Sequence, residues 1–173
     1  RHCNGKLEFQ FLDLGNTPPS NAYLRKIDLK KPEITYPLRV MVCNKCWLVQ
    51  TQDYTNAEEL FKEDYAYFSS TSKGWLNHAK NYSDMIIKKL GLNKDSFVIE
   101  LASNDGYLLK NFVENDIPCL GIEPTKKTAE VARNLGIPVD EVFFSNEVAN
   151  KMSISNQKAD LVIGNNVYAH VPD

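Results

Sequence analysis

Two groups of residues in this chain have types and spacings that could do chemistry. The first is sulfur. Cys43-Asn44-Lys45-Cys46 is a CxxC knuckle, and Cys3 precedes it near the start of the chain. Two thiolates on a tight knuckle can take adjacent corners of a Zn²⁺ tetrahedron, and a closed structural site takes four ligands. Cys3, Cys43 and Cys46 are therefore expected metal ligands. A cysteine just before Arg1 would complete a second knuckle, and His2 is a weaker substitute. The alternative is that Cys43 and Cys46 are reduced core cysteines. Redox use is disfavoured, because no strand–CxxC–helix pattern surrounds the pair. Cys119, inside the apolar run Pro118–Ile122, reads as a small core residue.

The second group is carboxylate and amide. An apolar run ends in Glu100, and Leu101-Ala102-Ser103-Asn104-Asp105-Gly106 follows as a loop that leads into a helix-compatible segment at Tyr107. A buried strand feeding such a loop and helix is how open α/β sheets make a ligand crevice. Gly106, with Ser103 and Asn104, allows close backbone approach, and the helix start behind it favours an anionic group. Glu123-Pro124 closes the next strand, where an acid can take both hydroxyls of an adenosine ribose; the alternative is a solvated acid at a strand end. A dinucleotide would want G-x-G-x-x-G, so that the backbone can touch the pyrophosphate. This loop has one glycine and an Asp, which would repel that group. S-adenosylmethionine, with its sulfonium and ammonium, fits better, and NAD is the poorer fit.

The elements that must position these residues come in two blocks. Phe9–Gly15 reads as a strand ending in a turn, and Tyr36–Cys43 as a strand leading into the knuckle. Thr55-Asn56-Ala57-Glu58 is a capping-box pattern opening a short helix through Leu60-Phe61. Residues 1–70 thus form a small β module, short of core without a metal staple. Its last segment, Asp64–Ser72, sets aromatics beside hydroxyls. Tyr65, Tyr67 and Ser69 are ligand-edge candidates there, or the rings pack on the next domain.

Residues 71–173 alternate. A helix over Gly74–Leu90 with Gly91 as its C-cap is followed by strand Phe97–Leu101, helix Tyr107–Asn115 and strand Cys119–Ile122. Helix Lys126–Leu135, an extended piece Glu141–Phe144, a short helix near Glu147–Met152 and strand Ala159–Ile163 complete the pattern. Strands and helices in this rhythm predict a parallel α/β sheet. Ligands of such sheets lie outside the carboxyl ends of the strands, which adds Ala102, Phe144, Asn165 and Asn166 to the cofactor-side candidates.

Composition excludes some partners. The hydrophobic content of 43% and net charge of −2 are those of a globular protein without a nucleic-acid footprint. No apolar run approaches the roughly 20 residues that span a bilayer. No secretory signal is seen, so the cytoplasm is the expected compartment. Residues 1–91 carry 13 Lys and Arg against 10 Asp and Glu, and residues 92–173 carry 7 against 12, an asymmetry that fits two modules. The ends at Arg1 and Asp173 read as cuts in a longer protein.

The order and spacing of several motifs together resemble a known family, the zinc-containing sugar C-methyltransferases acting on nucleotide-linked deoxysugars. They are Leu12-Asp13-Leu14-Gly15, the knuckle followed by Trp47-Leu48-Val49-Gln50, Asp64–Ser70, Glu100–Leu108, Gly121-Ile122-Glu123-Pro124 and Asn165–Asp173. The resemblance implies a zinc module ahead of a class I S-adenosylmethionine fold (Rossmann-like), here truncated. It implies Cys3, Cys43 and Cys46 as zinc ligands. Glu100, Ser103, Asn104, Gly106, Tyr107, Leu108, Glu123, Pro124 and Asn165 would line the cofactor. Tyr65 and His170 would face a nucleotide-sugar substrate. It further implies removal of a proton beside a ketone, stabilisation of the enolate and attack of that carbon on the sulfonium methyl. The base is expected beyond Asp173, so this stretch alone is expected not to turn over. The competing readings are an O- or N-methyltransferase, a zinc-ribbon interaction module on an idle Rossmann domain, and an NAD-dependent sugar enzyme.

Overall fold

A computed structural model describes residues 2–62, 65–155 and 158–171. The chain divides into two compact units, residues 1–66 and 67–173. The sequence places that boundary at 70. The difference matters for Tyr67–Ser70, whose backbone is bonded to a loop of the second unit.

The first unit is a three-stranded antiparallel sheet in the order β1-β2-β3, with β1 Leu7–Thr17, β2 Tyr36–Cys43 and β3 Val49–Thr51. The turn expected at Leu12–Gly15 is not a turn. β1 runs through it to Thr17, with a register shift against β2 between Asp13 and Asn16. Asp13 makes this possible. Its Oδ1 accepts from the Gly15 N–H at 2.9 Å, and its Oδ2 accepts from Arg39 Nε on β2 at 3.0 Å. A backbone group freed by the bulge thus finds a side-chain partner. Helix α1, Ala57–Leu60, starts one residue later than the capping box predicts. Asn56 is the N-cap, its side chain accepting from the Glu59 N–H at 2.9 Å, while Thr55 Oγ1 donates to the Glu59 carboxylate.

The second unit is a four-stranded parallel sheet in the order β6-β5-β4-β7. Its strands are β4 Val98–Leu101, β5 Cys119–Ile122, β6 Val139–Asp140 and β7 Leu161–Ile163; its helices are α2 Lys73–Leu90, α3 Lys110–Val113, α4 Lys126–Asn134 and α5 Asn146–Ile154. Side chains alternate across the sheet, so the central strands β4 and β5 each feed two cores. Val98 joins Ala79, Leu109, Phe112, Ala129 and Ala132 in one core, while Ile99 and Leu101 pack with Leu120, Ile122 and Met152 in the other. α2 is capped as its sequence predicts. Ser72 Oγ accepts from the Trp75 N–H at 3.2 Å, and the Gly91 N–H closes the far end on the Ile87 carbonyl.

Two expected elements differ. The helix expected over 107–115 is α-helical only at 110–113, because the turns around it close on the third residue back: Asn111 N–H bonds the Leu108 carbonyl, and Asn115 N–H that of Phe112. The extended piece expected at 141–144 lies two residues earlier. β6 is Val139–Asp140, paired with Gly121–Ile122, and a tight turn from Val142 N–H to the Asp140 carbonyl ends it.

Candidate functional site

In the first unit β2 delivers Cys43 to the knuckle turn, where the Trp47 N–H bonds the Cys43 carbonyl and the Cys43 N–H bonds that of Leu48, both at 3.0 Å. Cys3 returns alongside. The ligand atoms of Cys3, Cys43 and Cys46 all lie within 4.8 Å of one another, and Cys3 Sγ stands 3.5 Å from Cys43 Sγ. That separation is far beyond the roughly 2 Å of a disulfide. It is close to the sulfur–sulfur edge of a tetrahedron whose metal–sulfur bonds are about 2.3 Å. The three thiols therefore fit a Zn²⁺. Backbone N–H groups of Cys46 and Lys45 aim at the Cys43 sulfur and hold its thiol down, at about 7, which favours the thiolate that a metal needs.

His2, the substitute fourth ligand, is not in the cluster. A residue that the sequence reading missed is Gly5. A Cβ there would stand 3.1 Å from Cys3 Sγ and 3.2 Å from Cys43 Sγ, so only glycine leaves the two sulfurs their place. Its signal in the sequence is its position two residues after a ligand.

In the second unit the chain steps from β4 outward to β5 and β6, then returns to β7 on the other side of β4. That reversal makes a crevice at the carboxyl end of β4, the usual ligand position of an open α/β sheet. The loop there is strained. Ala102 and Asn104 both hold left-handed φ, +52° and +51°, a conformation that costs an L-residue roughly 1–2 kcal/mol. Hydrogen bonds hold it. Asn104 N–H donates to Glu123 Oε2 at 3.0 Å, and Thr125 N–H to Glu123 Oε1 at 2.9 Å. The Asn104 side chain accepts from Ser69 N–H at 2.9 Å and donates to the Tyr67 carbonyl at 3.0 Å. Asp105 Oδ2 accepts from Ser70 N–H at 3.0 Å. Asn104 thus spends its amide on the 67–70 segment.

Gly106, φ +79°, has a different use from the one expected. A Cβ would collide with Ile137 Cδ1 and lie 3.1 Å from Ala132 Cβ, so the glycine lets the loop pack on α4. Leu108 is likewise a core side chain. Tyr107 is buried; its hydroxyl accepts from Asn165 Nδ2 at 3.2 Å, a bond that ties the β4 loop to the β7 loop across the crevice. Burial, then the charge of Glu100, push the Tyr107 phenol well up.

The acids are the other notable feature. Glu100 is 1% exposed, and neither of its carboxylate oxygens has a hydrogen-bond partner of good geometry. Burial lifts its carboxyl well above the usual range. An attraction to the Tyr107 hydroxyl opposes the rise, and the charges of Glu123 and Asp105 add to it. Asp105 and Ser103 are fully buried, and Asp105 Oδ1 and Ser103 Oγ also lack partners. Asp105 enters the sequence reading only as a carboxylate that would repel a pyrophosphate, and its burial is what the structure adds.

Glu100, Ala102, Ser103, Asn104, Gly106 and Tyr107 follow one another through the end of β4 and its loop, which is bonded to Glu123 through Asn104 and to Asn165 through Tyr107, with Pro124 half-buried beside Glu123. Phe144 packs against the core of Ile99 and Leu101. Asn166 is exposed with φ +54°. His170 is exposed at the end of a 3-10 turn, Tyr168–His170. In the first unit the Tyr65 hydroxyl accepts from Asn21 Nδ2 at 3.3 Å, and its ring meets Phe61 edge-on at 5.1 Å. Asp64, Pro172 and Asp173 lie outside the described residues. Among the described residues no helix is long and apolar enough to cross a membrane.

Comparison with known proteins bears on both units. Residues 1–61 match the family described as "Putative zinc binding domain". Over all 173 residues the chain is 29% identical to "C-methyltransferase NovU" of Streptomyces niveus. The chain is thus similar, over its whole length, to a protein named as a C-methyltransferase. It spans 41% of the length of NovU. The chain also matches the crystal structure of MccD protein, at 23% identity over 49% of this chain and 31% of that one; with a TM-score of 0.27 the match carries no argument.

Proposed function

We propose that this chain is the zinc-bearing, S-adenosylmethionine-binding part of a methyltransferase that acts on a carbon of a nucleotide-linked keto-deoxysugar. The observation that carries the reading is the alignment of the whole chain, sulfur centre and α/β unit together, with a protein named as a C-methyltransferase. The free thiols fit a reducing compartment such as the cytoplasm.

The crevice fits the cofactor on its donor chemistry. Glu100 and Asp105 offer buried carboxylate oxygens without partners, suited to a cation rather than to a pyrophosphate. When bound, S-adenosylmethionine supplies an electrophilic methyl on a sulfonium. Glu123 is held in place by two backbone N–H groups, and each of its oxygens keeps an acceptor site for a ribose hydroxyl. Asn165 and Tyr107 hold the two loops of the crevice together. Within the second unit, His170 is assigned to the sugar side. The zinc has a structural role, since its thiol ligands belong to a unit with little core of its own.

Calorimetry on the intact protein tests the cofactor. S-adenosylmethionine is expected to bind, and Glu123→Ala to weaken it about tenfold or more, as loss of a buried charge-assisted hydrogen-bond pair does. The acceptor is tested by supplying nucleotide-linked 4-keto-deoxysugars with a ¹³C-methyl donor. A methyl joined to carbon is expected in the product's NMR spectrum, and a methyl on oxygen or nitrogen would overturn the reading.

A further inference from the structure

Among the described residues, Glu100 is the one acid with both oxygens buried and neither in a hydrogen bond of good geometry. Among the described residues, the titratable groups that act on it or feel its charge come from several elements. Tyr82 projects from α2, Cys119 from β5, Asp105 and Tyr107 from the loop after β4, and Glu123 from the end of β5. None is a cation. Two are carboxylates, and both oxygens of Glu123 are already engaged by backbone N–H groups. The Tyr107 hydroxyl accepts from Asn165, and its own proton is the one neutral donor that acts on the Glu100 carboxylate. An ionised carboxylate buried beside two others, with no counter-ion and only the Tyr107 hydroxyl to favour its charge, is a costly arrangement; the cheaper state is the neutral acid.

We propose that Glu100 is a proton-exchanging residue of the crevice: it carries a proton when the site is free, and a cationic ligand binds by displacing that proton to solvent. The inference rests on the reading of the crevice as a site for a cationic cofactor. The exchange balances. The protonated carboxyl and the cation go in, and the carboxylate–cation pair and one proton come out. The same residue then selects for charge, because a neutral ligand of similar shape has nothing to offer the carboxylate in return.

The direction with pH follows. In the free protein the carboxyl titrates above its ordinary range, and in the complex the cation lowers it again. Between those two values, binding releases a proton and tightens as pH rises, by up to tenfold per pH unit for one proton. Above the free-state value the affinity is flat.

The experiment is calorimetry of S-adenosylmethionine binding to the intact protein in buffers of different ionisation enthalpy, repeated across the pH range in which the protein stays folded. Release of close to one proton, with affinity rising with pH, is expected. Glu100→Gln is expected to abolish both the release and the pH dependence. Binding with no proton release and no pH dependence in the unaltered protein overturns the proposal and leaves the cofactor reading standing. No binding at all overturns the cofactor reading itself. Where the glutamine variant does not fold, infrared difference spectra decide: a protonated-carboxyl C=O band must be lost on ligand addition, and its absence from the free protein overturns the proposal.

Discussion

The two units solve the same problem by different means. In residues 67–173 the chain buries Val98, Leu108, Leu109, Phe112, Ile122 and Ile137 almost completely, and helices cover both faces of the sheet. In residues 1–66, among the described residues, only Met41 and Cys43 are buried hydrophobics. Phe9, Phe11, Leu12 and Leu14 of β1 all face solvent, Phe11 at 72% exposure. A unit with so little apolar burial lacks the usual source of stability and must take it from a cross-link. The clustered thiols are that cross-link. The difference teaches that a metal held by the three thiols would serve the folding of the first unit, whereas the second is held by its own apolar core.

The largest effect that could break this comparison is metal removal. Chelation should cost the first unit about 10 kcal/mol, the scale of structural zinc binding. Amides of the β1–β2 ladder are expected to lose hydrogen-exchange protection, while those of β4 and β5 keep theirs. Equal loss in both sheets would mean that the metal holds more than its own unit. Next in size, Phe112→Ala should destabilise the second unit by about 4 kcal/mol through the cavity it leaves, with bound zinc unchanged. Urea unfolding and metal analysis on the same sample check both halves of that statement.

Gly106→Ala sharpens the comparison at one residue. Its Cβ meets Ile137 and Ala132 at a left-handed φ, so a loss of about 2–3 kcal/mol is expected by urea unfolding, even though the residue sits in a loop. The smallest effect is expected in the other unit. Phe11→Ser removes an exposed ring and should change stability by no more than about 0.5 kcal/mol, with zinc stoichiometry intact. A large loss there would show that the β1 face is not free in solution.

Much of this arrangement was legible in the residues. The CxxC knuckle pairs two ligands by spacing alone, and Cys3 joins them in the fold as it does in the reading. The βα alternation announced a parallel sheet, because its apolar runs and caps are local signals. Ser72 and Gly91, at the two ends of α2, are of that kind. Less legible were features whose cause lies far away in sequence. The Leu12–Gly15 segment has the composition of a turn, yet pairing with β2 and the Asp13–Arg39 bond keep it in the strand. Asn104 reads as a cofactor contact, but residues 35–37 positions earlier claim its amide.

The sequence by itself determined the chemistry on offer: thiols at ligand spacing, acids at strand ends and a loop with too few glycines for a pyrophosphate. Residue types and their intervals suffice for that, because spacing along a knuckle, strand or helix sets local geometry. Only the tertiary structure decided what each group has left to give. It spent Asn104 on the 67–70 segment, Gly106 on the packing of α4 and Gly5 on room for two sulfurs. It left Glu100 buried with both oxygens bare. Burial and hydrogen-bond satisfaction depend on which distant segments converge, and no interval along the chain encodes that.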